Sequence, residues 1–191
     1  MVTRKNALIF FSGFLSLIIC TAAFAVDTPS SLATADQFYA IGNYARAQML
    51  YEKVLDTGSL SAEVTSSVYF KLGRCYHYAD RTDHAIRCFE TVIDTYPGTS
   101  YTTSARKWLG DCYVIKNELD TAIAVYRSIL TNSTDPQVIP AAKFELARTL
   151  FKIKDYTEAE SEFDAFIKRY PSHMQVKQAR FYLKRIQNIT K

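Results

Sequence analysis

The chain has 191 residues, enough for one ordinary domain with a substantial core. Hydrophobic residues make up 48% and charged residues 22%, with only 6 Gly and 5 Pro, which argues against a disordered or loop-rich chain. The formal net charge of +4 is carried in part by the first residues, and the near-balanced remainder offers no case for nucleic-acid binding.

Residues 1–25 read as a secretory signal peptide. Arg4 and Lys5 are followed by an apolar run from Ala7 to Ile19, then by Ala23-Phe24-Ala25 before Val26. A basic start, a short apolar stretch and an A-x-A site predict export, with the mature chain beginning at Val26. The run is too short for a comfortable membrane span of about 20 residues. Without this segment, 21 Lys plus Arg face 19 Asp plus Glu. Cys20 offers an alternative, lipid anchoring, but Ile19 occupies a place where lipoprotein processing wants a small residue.

From residue 28 onward a pattern recurs. A small residue is followed by an aromatic residue four places on and a branched or aromatic residue three further on. Ala47, Tyr51 and Val54 fit, as do Ala85, Phe89 and Val92, then Ala122, Tyr126 and Ile129, then Ala159, Phe163 and Phe166. The steps between the alanines are 38, 37 and 37 residues. Upstream of each alanine a second helical pattern centres on Ala35, Gly73, Gly110 or Ala147. Each of these is followed three residues later by Phe38, Tyr76, Tyr113 or Leu150. Polar turns separate the two patterns at 42–44, 80–83, 116–120 and 153–156. Small residues let antiparallel helices approach, and the large residues fill the space around the contact. A fixed period of this length predicts an all-α solenoid of four helix pairs, at about 28–60, 64–98, 101–135 and 138–172. Residues 173–189 repeat only a first helix, with Lys177, Gln178, Arg180, Lys184, Arg185 and Gln187 as a wet face. This predicts a capping helix.

These residues resemble the tetratricopeptide repeat family, whose pattern runs W-x2-L-G-x2-Y, then A-x3-F, then P. Tyr69, Leu72, Gly73, Tyr76, Ala85, Phe89 and Pro97 match it nearly whole. The third unit matches through Leu109, Gly110, Tyr113, Ala122 and Tyr126, with Arg106 and Thr134 departing from it. The fourth matches through Leu146, Ala147, Ala159, Phe163 and Pro171, and the first keeps Ala35, Phe38, Ala47 and Tyr51. An exported chain with Tyr-Pro at the ends of two repeats is similar, broadly, to bacterial envelope members of the BamD and YbgF type. The resemblance implies a right-handed α-solenoid and a periplasmic scaffold that binds another envelope protein or peptide in its concave groove.

In such solenoids the first helix of each pair lines the groove. The residues flanking the packed positions there are Tyr39, Phe70, Arg74, His77, Tyr78, Lys107, Asp111, Phe144, Arg148, Phe151 and Lys152. Aromatic rings beside cations suit an extended peptide with acidic groups or a terminal carboxylate. The family's carboxylate clamp also needs an Asn pair, which is missing here, so that clamp is not carried over. The other reading is a structural subunit that self-associates through its ends or convex face into a homo-oligomer, or an accessory factor of an envelope assembly complex.

No nucleophile stands beside a base, and no phosphate-cradling loop or HExxH motif occurs, so no catalytic role and no cofactor are expected. Cys75, His77, His84 and Cys88 raise the question of zinc. Only His84 and Cys88 share a helix face, so no metal is expected. The cysteines Cys75, Cys88 and Cys112 read as small buried hydrophobes, with a Cys75–Cys88 disulfide as the alternative.

Overall fold

The computed structural model describes residues 28–58 and 60–191. Among these residues the chain forms nine α-helices and no strand. They are α1 (Thr28–Ala40), α2 (Tyr44–Asp56), α3 (Ala62–Tyr78), α4 (Thr82–Thr95), α5 (Thr102–Ile115), α6 (Leu119–Asn132), α7 (Val138–Lys152), α8 (Tyr156–Arg169) and α9 (Val176–Ile189). The signal-peptide reading falls on residues outside this description.

Each helix packs on the next in sequence, and α3, α5, α7 and α9 also touch one another in succession. First helices therefore form an inner layer and second helices an outer one. The closer spacing of the inner layer makes that face concave.

The small residues work as the periodicity requires. Gly73 lies so close to α4 that an added Cβ would sit 2.7 Å from the Phe89 ring and 3.1 Å from the Cys88 Cβ. At Gly110 the added carbon would lie 2.6 Å from the Tyr126 ring. The aromatic residue of each second helix, Tyr51, Phe89, Tyr126 or Phe163, is wholly buried in the space so formed.

The four turns within the helix pairs share one device. Gly42, Asp80, Asn117 and Lys154 all have a positive φ, between 56° and 77°. The residue after each donates its N–H to a carbonyl five positions back: Asn43 to Phe38, Arg81 to Tyr76, Glu118 to Tyr113 and Asp155 to Leu150. This is the Schellman closure, which satisfies the last free carbonyls of a first helix and reverses the chain.

Between repeats two of the ties are phenolic. Tyr76 donates to Glu52 at 2.5 Å, and Tyr113, 37 residues on, donates to Glu90 at 3.4 Å. The core runs in two blocks, Ala35 to Cys112 and Val114 to Ile186, with Tyr113 packed against both. Ile186, Ala179 and Val176 of α9 close the second block, while Lys177, Gln178, Arg180, Lys184 and Gln187 stay exposed.

Candidate functional site: the inner face

One register position organises the inner face. It is the residue directly after each small packing residue: Asp36, Arg74, Asp111 and Arg148, on α1, α3, α5 and α7. The charge alternates, and the second-helix aromatic alternates with it. In the first and third repeats the aromatic is a tyrosine. Tyr51 donates to Asp36 at 2.6 Å, and Tyr126 donates to Asp111 at 2.7 Å. Each aspartate also takes a lysine: Lys71 reaches Asp36 at 2.8 Å, and Lys107 reaches Asp111 at 2.6 Å. In the second and fourth repeats the aromatics are Phe89 and Phe163, which have no hydroxyl to offer, and the ladder position is arginine. The inner face therefore repeats every two helix pairs.

Arg74 sits in a cage of rings drawn from three helices. Its guanidinium carbon lies 4.8 Å from the Trp108 ring centre, 5.3 Å from Tyr39, 5.8 Å from Tyr78 and 5.9 Å from Phe70. Cation–π attraction holds it there. Its Nη2 donates to Tyr78 Oη at 3.2 Å. Its Nε is buried without a hydrogen-bond partner, as is the Tyr39 hydroxyl beside it. Burial pushes the Tyr39 phenol up to about 12, against the opposing pull of Arg74. Among the described residues no carboxylate pairs with Arg74. His77 stands edge-on to Trp108 at 5.0 Å, with Nδ1 3.8 Å from Cys112 Sγ. Burial lowers its pKa, partly offset by Asp111.

The fourth repeat arranges the same guanidinium differently. Arg148 Nη2 lies 2.5 Å from Glu145 Oε2 one turn earlier. Glu145 is only 8% exposed, and burial raises its pKa although Arg148 opposes the shift. The contact is close enough for an ion pair but is not aligned as a hydrogen bond. Oε2 of Glu145 and Nε of Arg148 are both buried without a hydrogen-bond partner.

The tetratricopeptide repeat pattern matches this chain three times, over residues 30–98, 70–137 and 141–173. The chain belongs to the tetratricopeptide repeat family. Solved structures agree on the fold. The nearly identical TPR-like repeats of a Podosopora anserina putative kinesin light chain are 17% identical with a TM-score of 0.66, over 84% of this chain and 85% of that one. MamA of AMB-1 is 20% identical with a TM-score of 0.62, over 84% of this chain and 82% of that one. YrrB is 18% identical with a TM-score of 0.64, over 86% of this chain and 78% of that one. At these identities the likeness is one of fold. No curated protein matches the chain in sequence.

Within this tetratricopeptide repeat fold the expected groove residues divide into two clusters. Tyr39, Arg74, His77, Tyr78 and Lys107 come together around Trp108, with Lys107 4.6 Å from its ring centre. Arg148, Phe151 and Lys152 lie along the end of α7. Lys152 is exposed, while Phe151 is half-covered by Arg185 and Tyr182 of α9, each 5.1 Å away.

Two expected groove residues belong to the core instead. Phe144 is fully buried against Phe163, Phe166 and Tyr182. Phe70 is 9% exposed and packs on Phe89 and Tyr101. They occupy equivalent places, 74 residues apart, on the side of the first helix facing its own partner helix and the following repeat. The Cys75–Cys88 disulfide is also absent. Both are free, buried thiols like Cys112, each pushed up to about 12 by burial.

Sequence reasoning misses Trp108, Glu145 and the Asp36–Lys71 tie. Trp108 stands at an unspecified position of the family pattern, two residues after Arg106, which holds the pattern's tryptophan place. The shared register of Asp36, Arg74, Asp111 and Arg148 is the signal that could have found the site. Among the described residues no group of three or more His, Cys, Asp or Glu is placed to hold a metal ion, and no helix is long and apolar enough to cross a membrane.

Proposed function

We propose that this repeat protein is a non-catalytic interaction scaffold of the cell envelope that binds an acidic segment of a partner protein on its inner face, anchored at Arg74. The observation that carries this is the charge on Arg74. Asp36, Asp111 and Arg148 have internal counter-ions, whereas Arg74 is held in its ring cage with none among the described residues. A guanidinium edged by rings is an anchor for a carboxylate, and arginine with aromatic residues dominates interface energetics. YrrB, a neighbour in fold, is described as having an unusual peptide-binding site.

The test uses Trp108, the single tryptophan. Titrating an aspartate-containing extended peptide should change its fluorescence, and Arg74→Gln should weaken binding about ten- to a hundredfold. Unaltered binding in that variant, at unaltered helicity, sinks the reading. Charge reversal at Arg74 and Arg148 together should abolish capture of the partner.

Self-association is the second reading. It is motivated by an apolar cleft of about 260 Å³ between Phe38, Met49 and Leu50, edged by Arg46 and Lys53. It requires a defined oligomer in light scattering without any partner. Export rests on residues 1–25, and mass spectrometry of secreted protein should show a chain starting at Val26. Lipid on Cys20 would instead place the protein on a membrane.

A further inference from the structure

We propose that Glu145 is a built-in stand-in for a partner carboxylate, masking a second carboxylate-binding position at Arg148. This rests on the reading of Arg74 as a carboxylate anchor. The two arginines occupy the same place in their repeats. Counting back 74 residues takes Arg148 to Arg74, Ala147 to Gly73, Phe144 to Phe70 and Glu145 to Lys71. The flanking packing is shared, since Phe70 lies against Phe89 as Phe144 lies against Phe163. The surroundings differ at the residue three positions earlier and at two places of the ring cage, where Tyr78 and Trp108 correspond to Lys152 and Tyr182. Lys71 turns away from Arg74 to Asp36, leaving that guanidinium without a counter-ion. Glu145 lies against Arg148 and neutralises it.

The Glu145 contact is a poor one for stability. The carboxylate is nearly buried, yet Oε2 has no aligned hydrogen bond, and Arg148 Nε is left without a partner. A buried ion pair gains over its desolvation cost only when its remaining polar atoms are satisfied. An arginine edge presents two parallel donors, and a carboxylate free to approach from a partner can take both. Glu145, tethered one turn away on the same helix, comes close to Nη2 but aligns with neither donor.

The spacing then defines the partner. Inner helices α3, α5 and α7 pack in succession, and adjacent helix axes lie about 8–10 Å apart, so Arg74 and Arg148 stand about 16–20 Å apart across the face. An extended chain rises about 3.3 Å per residue. The two positions together therefore suit two acidic side chains separated by about five residues.

The experiment compares three synthetic peptides by Trp108 fluorescence and calorimetry: one with two aspartates separated by five neutral residues, one with a single aspartate, and one with none. Wild-type protein should bind the first two alike. Glu145→Gln should bind the two-aspartate peptide at least tenfold more tightly and leave single-aspartate binding unchanged. Adding Arg148→Gln should remove that gain. Glu145→Ala is the second variant and should show the same gain, with circular dichroism reporting the fold of each. If single-aspartate binding depends on Arg74 but neither Glu145 variant favours the two-aspartate peptide, the masking proposal is wrong and Glu145 is a brace. If no aspartate peptide binds any form, the reading of Arg74 falls and takes this proposal with it.

Discussion

Tyr126 reaches across its helix pair to donate its phenolic hydrogen to Asp111, 15 residues earlier, and Tyr51 makes the same bond to Asp36 over the same interval. Burial and the accepting aspartate hold both phenols well above their usual pKa, so each stays a donor throughout the working pH range. Tyr126→Phe makes the third repeat resemble the second and fourth, which carry Phe89 and Phe163, and keeps the buried ring. The expected loss is therefore that of the hydrogen bond to a charged group, about 1.5–3 kcal/mol, read from urea unfolding. No change in midpoint would show that Lys107 alone satisfies Asp111.

The close approach at Gly73 predicts a steric penalty. Gly73→Leu must push Phe89 out of a fully buried place, because even a single added carbon would lie 2.7 Å from its ring. Overpacking of this kind costs about 1–3 kcal/mol, with more expected where a ring cannot rotate away. Thermal unfolding checks it, and full tolerance would contradict the observed packing.

Much of the fold was legible because packing geometry sets the period. Two helices can approach only where a small residue recurs, so Gly73, Gly110, Ala85 and Ala122 announced their own roles. The polar turns were legible for the same reason. The facing of Phe70 and Phe144 was not. A first helix in a solenoid is buried by its partner helix and by both neighbouring repeats, so apolar spacing along it does not separate groove from joint. Nor could sequence tell that Lys71 serves the preceding repeat, or that the Trp108 ring covers Arg74 of the preceding one. These contacts cross between repeats, and their direction depends on how the helix pairs stack.

Lys154 predicts a gain. It has φ of 67° at the turn between α7 and α8, where a side chain with a Cβ is strained by about 1–2 kcal/mol. Lys154→Gly relieves that strain, less the greater freedom of glycine in the unfolded chain. The melting temperature should rise by about 2–4 °C for each kcal/mol retained. Gly42→Ala, at φ of 77°, should move it the other way. A fall on Lys154→Gly would mean that the lysine side chain contributes more than its backbone costs.

His77 predicts a pH dependence. Its folded pKa lies below the usual 6.5, burial being the main cause, so the unfolded chain binds the proton more readily. The stabilising preference for neutral His77 is complete above about 6.5 and is lost as pH falls from there toward the lower folded pKa. His77→Gln should flatten this part of the stability profile, measured by urea unfolding between pH 7.5 and 5. A slope unchanged by the substitution would assign the effect to another group.

Contacts in this chain link each helix to its sequence neighbours and each inner helix to the next inner helix. The curvature of the whole is therefore a sum of small angles, one at each joint between repeats. The molecule is elastic in the way a stack of hinged plates is elastic. A slight turn at the α4–α5 and α6–α7 joints adds up along the inner layer, lengthening or shortening the distance between its second and fourth repeats. A partner gripping both would bend the stack to its own length, and its affinity would carry the cost of that bending.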